Sequence, residues 1–284
     1  MTVLPTTAAS VFFDGLFTEP RVAHPEGVAV HADGSIWCGT EWGDLIRIEA
    51  DGSTHTLMGS TKGFALGLAF DSAGNCYICD LRHAAVFKYD AATKGVETFA
   101  SSGILVPNYP VVDEARGVLY VSDSRGNNNI GPGIYRYDLQ TGAGGVWCSA
   151  PMDFANGMAM ALDGNGLYVV ESDRAQISYV PINPDGSAGT PSVAIADAPN
   201  VPDGLAIAPD GTIYVSCYEP SRIYRLKPGG TLEVLVEDPA ATVMAHPTNI
   251  ALKGSRIYAS NLGRWHITAV DLDTSREDAP APST

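Results

Sequence analysis

In residues 26–40, EGVAVHADGSIWCGT, an acid and a glycine lead into an apolar run, an Asp-Gly pair interrupts it, and a second apolar run follows. Two short runs around Asp-Gly predict two antiparallel strands and a tight turn, because glycine takes positive φ without steric cost. The phrase recurs as LGLAFDSAGNCYICD (66–80), NYPVVDEARGVLYVSDS (108–124), NGMAMALDGNGLYVVES (156–172), DGLAIAPDGTIYVSC (203–217) and TNIALKGSRIYASN (248–261). After each pair comes a third run, such as LIRIEA, VFKYDA, GIYRYDL, ISYVPI and RIYRLK, usually followed by another turn signal. Asp33-Gly34, Asp51-Gly52, Asp185-Gly186 and Asp210-Gly211 punctuate these hairpins. Nothing reads as a long amphipathic helix.

The repeat length of roughly 40 to 48 residues holds about four short strands and their turns. Six such units predict an all-β chain, a six-bladed β-propeller of four-stranded blades forming one domain over residues 1–284. A parallel β-helix also repeats, but with much shorter coils. The last copy ends in HITAVDL and gives way to a polar tail, about residues 273–284. The unmatched segment SVFFDGLF, residues 10–17, is therefore expected to supply the missing outer strand, so that the ring is closed by the N-terminal strand.

The innermost strand of each blade lines the central channel. The residue that opens it is Glu26, Leu66, Asn108, Asn156, Asp203 and Thr248 in the six copies. Flanking apolar positions keep their character, yet this column carries two acids and two amides. Two carboxylates and two amide oxygens converging on one axis are costly to bury unless a cation compensates them. They match the oxygen ligands of hard divalent ions, and their two negative charges balance one such ion. The absence of His and Cys from the column disfavours structural zinc.

The formal net charge is −15, which argues against nucleic acid and anionic membranes as partners. Hydrophobic content of 45% with 17% charged residues is that of a folded chain. No apolar run reaches the roughly 18 residues of a membrane helix, and the N-terminus reads as no signal peptide. The five cysteines include a C-x-x-C at Cys76 and Cys79, but inside a strand-like run, where residues three apart point to opposite faces. Buried small hydrophobes in a reducing cytoplasm are the expectation.

At these residues the chain resembles the senescence-marker-protein, gluconolactonase and luciferin-regenerating-enzyme family. PEG at 25–27, NG at 156–157, PDG at 202–204 and HPTN at 246–249 carry the likeness. The resemblance implies a six-bladed propeller with one divalent cation deep in the channel, calcium first, with zinc, manganese or magnesium as alternatives. It implies Glu26, Asn156 and Asp203 as direct metal ligands and Asn108 as an amide that binds metal or contacts substrate. Asp203 would also be the catalytic group, as general base or nucleophile. Sugar-lactone members usually carry an Arg two residues before the amide at Asn108, and Asp-Gly after it. Here the stretch is VPNYP, with Val106 for the Arg and Tyr109-Pro110 for Asp-Gly, which makes an apolar wall.

The loops between second and third strands open on the same end as the ring. Trp42, Tyr109, Tyr218 and Trp265 are candidate substrate-binding walls alongside Asn108. The loop at 124–133, rich in Gly and Asn, is either a lid or a surface loop. His24 and His246, each before a proline, open neighbouring blades near the channel mouth. No nucleophile elbow, P-loop or dinucleotide fingerprint is present. The expectation is a monomeric or small homo-oligomeric hydrolase that opens a lactone less sugar-like than gluconolactone. A phosphotriester or other ester hydrolase on the same ion, and a non-catalytic calcium-binding propeller, are the alternatives.

Overall fold

The computed structural model describes residues 2–125 and 131–273. Six four-stranded antiparallel sheets form the blades of a propeller. In blades 1 to 5 the strands run in sequence order from the axis outward. The innermost strands are Val28–Val30, Ala65–Phe70, Pro107–Asp113, Ala155–Met160, Pro202–Ile207 and, in blade 6, Pro247–Lys253. The Asp-Gly turns form as the sequence predicts: Gly34 and Gly211 take φ of 87° and 85°, a conformation that a side chain would strain. Apart from strands, the described residues hold two short 3-10 turns, Thr6–Ala8 and Ser172–Arg174.

Ring closure follows the expected route. The outer strand of blade 6 is Ala9–Asp14, paired antiparallel with His266–Asp271, with Ala9 opposite Val270 and Asp14 opposite His266. It starts one residue earlier than the sequence suggests and stops sooner, because the Asp14 carboxylate accepts the Leu16 amide and turns the chain. A second fastening precedes it. The amides of Val3 and Leu4 donate to the carbonyls of Val234 and Leu235 on the outer strand of blade 5, at 2.9 and 2.7 Å. The first residues thus fasten to blade 5 before the chain enters blade 6. Residues 274–284, the expected tail, lie outside the described residues.

The core is divided into six apolar clusters, one between each pair of neighbouring blades. Between blades 5 and 6, Tyr214, Ile223 and Leu235 meet Ile250, Ile257 and Val270, with Leu4 added from the N-terminus. Across the closure, Phe13, Tyr258 and Ile267 meet Val28, Ile36 and Ile46. The inner strands of each blade show one face to each neighbour, which explains why their sequence runs are apolar almost throughout rather than alternating. Cys76 and Cys79 sit in different clusters, toward blades 1 and 3 respectively. All five cysteines are buried and free, and the two of the C-x-x-C pack as small apolar side chains.

Candidate metal centre

The six column residues occupy one structural position. Ala65, Pro107, Ala155, Pro202 and Pro247 pair with the last residue of the second strand, Asp80, Asp123, Glu171, Cys217 and Asn261. Immediately after each pairing the register breaks, and the ladder resumes one residue later than regular pairing would place it. Leu66, Asn108, Asn156, Asp203 and Thr248 sit in these bulges. In blade 1 the strand proper starts at Val28, with the Glu26 amide donating to Gly39 just before it. A bulge bends its strand and re-aims a side chain. Here it repeats around the axis at the residues that the sequence singles out.

The glycine that follows the column residue has a packing role. A Cβ on Gly27, Gly67, Gly157 or Gly204 would lie 2.1 to 2.6 Å from the carbonyl oxygen of the next blade's column residue. Each inner strand therefore leans on its neighbour through backbone alone, and the acid-glycine and amide-glycine phrases join a functional position to a close approach.

Glu26, Asn108, Asn156 and Asp203 are all buried. Two serines fix the amides. The Nδ2 of Asn108 donates to Ser124 Oγ at 2.9 Å, and that hydroxyl donates to the Ala155 carbonyl at 2.8 Å. One blade on, Asn156 Nδ2 donates to Ser172 Oγ at 3.0 Å, and Ser172 to the Pro202 carbonyl at 2.6 Å. Since each hydroxyl spends its proton on a carbonyl, it can only accept from the amide. Each Oδ1 is left facing away from its serine with no donor. Among the described residues, the buried side-chain amide and carboxylate oxygens without a partner are Asn108 Oδ1, Asn156 Oδ1, Asp203 Oδ1 and Asn249 Oδ1. An isolated orphan of this kind is costly, and four on the innermost strands form an acceptor-only environment.

The electrostatics agree. Burial raises the Glu26 carboxyl well above the usual range, the Asp203 carboxylate raises it further, and an Asn249 hydrogen bond partly offsets both. Burial likewise lifts Asp203 to about 7, against a lowering contribution from Asn156. Among the described residues, neither acid has a neighbouring cationic side chain that holds it ionised. Among the described residues no three His, Cys, Asp or Glu side chains group to hold a metal ion. A cation site here depends on amide oxygens, and two carboxylates with unpartnered amide oxygens fit a hard divalent ion. Asn249 is the member that the sequence column misses, since the column runs through its neighbour Thr248.

Around the mouth the expected wall residues separate. Tyr109 lies against Gly67, where the missing side chain makes room for its ring. Trp42 is 47% exposed on the rim. Tyr218 stacks on His246 with ring centroids 4.6 Å apart, and Trp265 tilts against His24 at the same separation. Both histidines have positive φ, and each sets its Nδ1 against a carbonyl of the preceding blade, Tyr218 O at 3.1 Å and Leu262 O at 2.7 Å. The sequence hint was the repeated His-Pro. Leu105 and Val201, two or three residues ahead of Asn108 and Asp203, are exposed apolar residues on the same end. Residues 126–130 of the possible lid lie outside the described residues.

A sequence model described as the SMP-30/Gluconolactonase/LRE-like region matches residues 25–259. No curated protein matches the chain. Among solved structures, a gluconolactonase from Xanthomonas campestris is 17% identical, with 93% of this chain and 89% of that one covered and a TM-score of 0.75. A putative gluconolactonase is 16% identical over 93% and 91% of the two chains, with a TM-score of 0.73. A luciferin-regenerating enzyme is 14% identical over 93% and 94%, with a TM-score of 0.71. These likenesses show a shared fold. Among the described residues no helix is long and apolar enough to cross a membrane.

Proposed function

The chain belongs to the SMP-30/gluconolactonase/LRE-like family, and on that premise we propose that it is a divalent-cation-dependent hydrolase that opens a lactone ring. The observation that carries the reading is the set of unpartnered oxygens on Asn108, Asn156 and Asp203, beside a second buried acid, Glu26. Glu26, Asn108, Asn156 and Asp203 would hold the ion, calcium first among the candidates. When bound, the ion supplies a Lewis acid for the ester carbonyl and a positive charge for the oxyanion.

Asp203 handles the proton. It accepts one from the attacking water as the water oxygen bonds to the carbonyl carbon, and returns it to the ring oxygen as the C–O bond breaks. Burial sets its carboxyl near neutrality when no cation is present, and a nearby positive charge lowers it into the ionised, proton-accepting form. Asn108, held by Ser124, would orient the substrate as well.

The mouth favours an apolar substrate. Leu105, Val201 and Trp42 are exposed on the ring's end of the propeller, and Tyr109 stands next to Asn108. These residues suit aliphatic or aromatic lactones better than polyhydroxylated ones. The test is ring-opening of a lactone panel, read as proton release, after EDTA and after calcium, manganese, zinc or magnesium is added back. Metal-restored turnover that Asp203→Asn removes supports the proposal. Turnover that survives EDTA refutes the cation dependence, and turnover of phosphotriesters alone moves the chemistry to that class.

A further inference from the structure

In four blades the residue after the column position is glycine, because the next blade's carbonyl occupies the space of a Cβ. Blade 3 has Tyr109 there, and blade 6 has Asn249. Asn249 is fully buried at the seam where blade 6 meets blade 1. Its Nδ2 donates to Glu26 Oε2 at 3.1 Å and to the Glu26 carbonyl at 3.1 Å. The Glu26 carbonyl also accepts from Thr248 Oγ1 at 2.7 Å and from Ser260 Oγ. Three side chains of blade 6 thus converge on one residue of blade 1.

Those contacts fix which end of the amide faces which way. A carboxylate oxygen and a carbonyl oxygen only accept, so the end of Asn249 that meets both must be its NH2 group. Its Oδ1 is turned elsewhere and has no donor, as is true of Asn108 and Asn156. Serine hydroxyls set the other two amides, and the Glu26 carboxylate itself sets this one. Ring closure alone would not require this residue. A seam needs backbone contact and packing, which Thr248 and Ser260 already supply, and a buried unpartnered oxygen only adds cost.

We propose that Asn249 is a fifth oxygen donor to the cation site and a positioning residue for Glu26. This rests on the cation-dependent reading above. Its Nδ2 holds the Glu26 carboxylate in place, and its Oδ1 completes the oxygen set from the blade whose column residue, Thr248, has turned its hydroxyl to the seam. The site is thereby completed only when blade 6 has docked on blade 1.

Calcium binding to EDTA-stripped protein, measured by isothermal titration calorimetry, tests this with wild type, Asn249→Ala and Asn249→Asp. Unfolding temperatures in EDTA are recorded alongside. Asn249→Ala is expected to bind calcium at least tenfold more weakly. Asn249→Asp, which keeps an oxygen but loses the Nδ2 that holds Glu26, is expected to bind more tightly than Asn249→Ala and no more tightly than wild type. Asn249→Ala with wild-type affinity and a lowered unfolding temperature would reduce the residue to a seam fastener and overturn the proposal. Asn249→Asp binding no more tightly than Asn249→Ala would overturn the oxygen-donor role. If Asn249→Ala does not fold, Asn249→Ser, which also removes the amide, takes its place in the comparison. A wild type that binds no calcium, manganese, zinc or magnesium removes the cation site itself, which separates that failure from the failure of Asn249.

Discussion

Gly157 packs on the carbonyl of Asp203, so close that a Cβ on the glycine would lie 2.6 Å from that oxygen. The contact links blade 4 to the buried acid of blade 5. Gly157→Ala is therefore expected to push the Asp203 backbone outward and to cost about 1–3 kcal/mol, the usual penalty of overpacking. Gly145→Ala, with nothing within 4 Å of the added Cβ, is the control and stays within about 0.5 kcal/mol of wild type. Urea denaturation of the two variants checks this. Equal stability would show that the strands part without cost.

Ser172 orients Asn156 and ties it to the Pro202 carbonyl beside Asp203. Ser172→Ala frees the amide to rotate and leaves its Nδ2 without an acceptor. Outer partners of metal ligands typically govern about 10–100-fold of affinity, and a calcium affinity reduced by that much is expected. Ser124→Ala acts the same way on Asn108. Calorimetry decides, and unchanged affinity in both variants would mean that the serines merely fill space.

The buried acids give the cation-free protein an unusual pH response. Folded Asp203 and Glu26 keep their protons to higher pH than the unfolded chain, whose carboxyls ionise near pH 4. As pH rises from about 4 to about 7, the unfolded state sheds protons that the folded state retains, so stability falls over that window. In EDTA the unfolding temperature is expected to rise as pH drops from 7 toward 5. Asp203→Asn flattens this rise. Below about pH 4 the trend reverses. There, turn aspartates such as Asp51, Asp138 and Asp185 lose the hydrogen bonds from Ser53, Thr141 and Ser187 that hold their carboxyls low. Thermal melts across pH 4–8 test the sign, and a wild-type curve superimposable on that of Asp203→Asn would refute it.

Leu105 and Val201 are exposed at the mouth and bury little on folding. Replacing both with serine is expected to leave stability unchanged. KM for an aliphatic lactone should rise by about fivefold, the scale of one or two lost apolar contacts, with kcat little altered. Steady-state kinetics on aliphatic and sugar lactones reads the difference. An equal change on both would dissociate these residues from selectivity.

The propeller and its ring were legible because each blade repeats one local phrase, and aligned copies place equivalent residues at one height. Glu26, Asn108, Asn156 and Asp203 stood out as polar residues in an otherwise apolar frame. Asn249 did not, because one blade puts its amide a residue later, and only the register at the seam shows that this side chain meets Glu26. Ser124 and Ser172 were hidden for another reason: a serine at a strand end looks like any loop residue until its partner one strand away is known. The roles of Tyr218 and Trp265 depend on histidines of the following blade, which no pattern within a single repeat contains.

The fastening of Val3 and Leu4 to blade 5, followed by Ala9–Asp14 in blade 6, also sets the order of assembly during synthesis. Ala9–Asp14 is made before its partner His266–Asp271 and stays unpaired until that strand has followed it. Contacts this distant along the chain slow folding, and an unpaired strand invites pairing with other chains in the interval. Birth order and docking order are thus inverted: Ala9–Asp14, made before the inner strands of all six blades, must wait for His266–Asp271 before the channel becomes a closed ring.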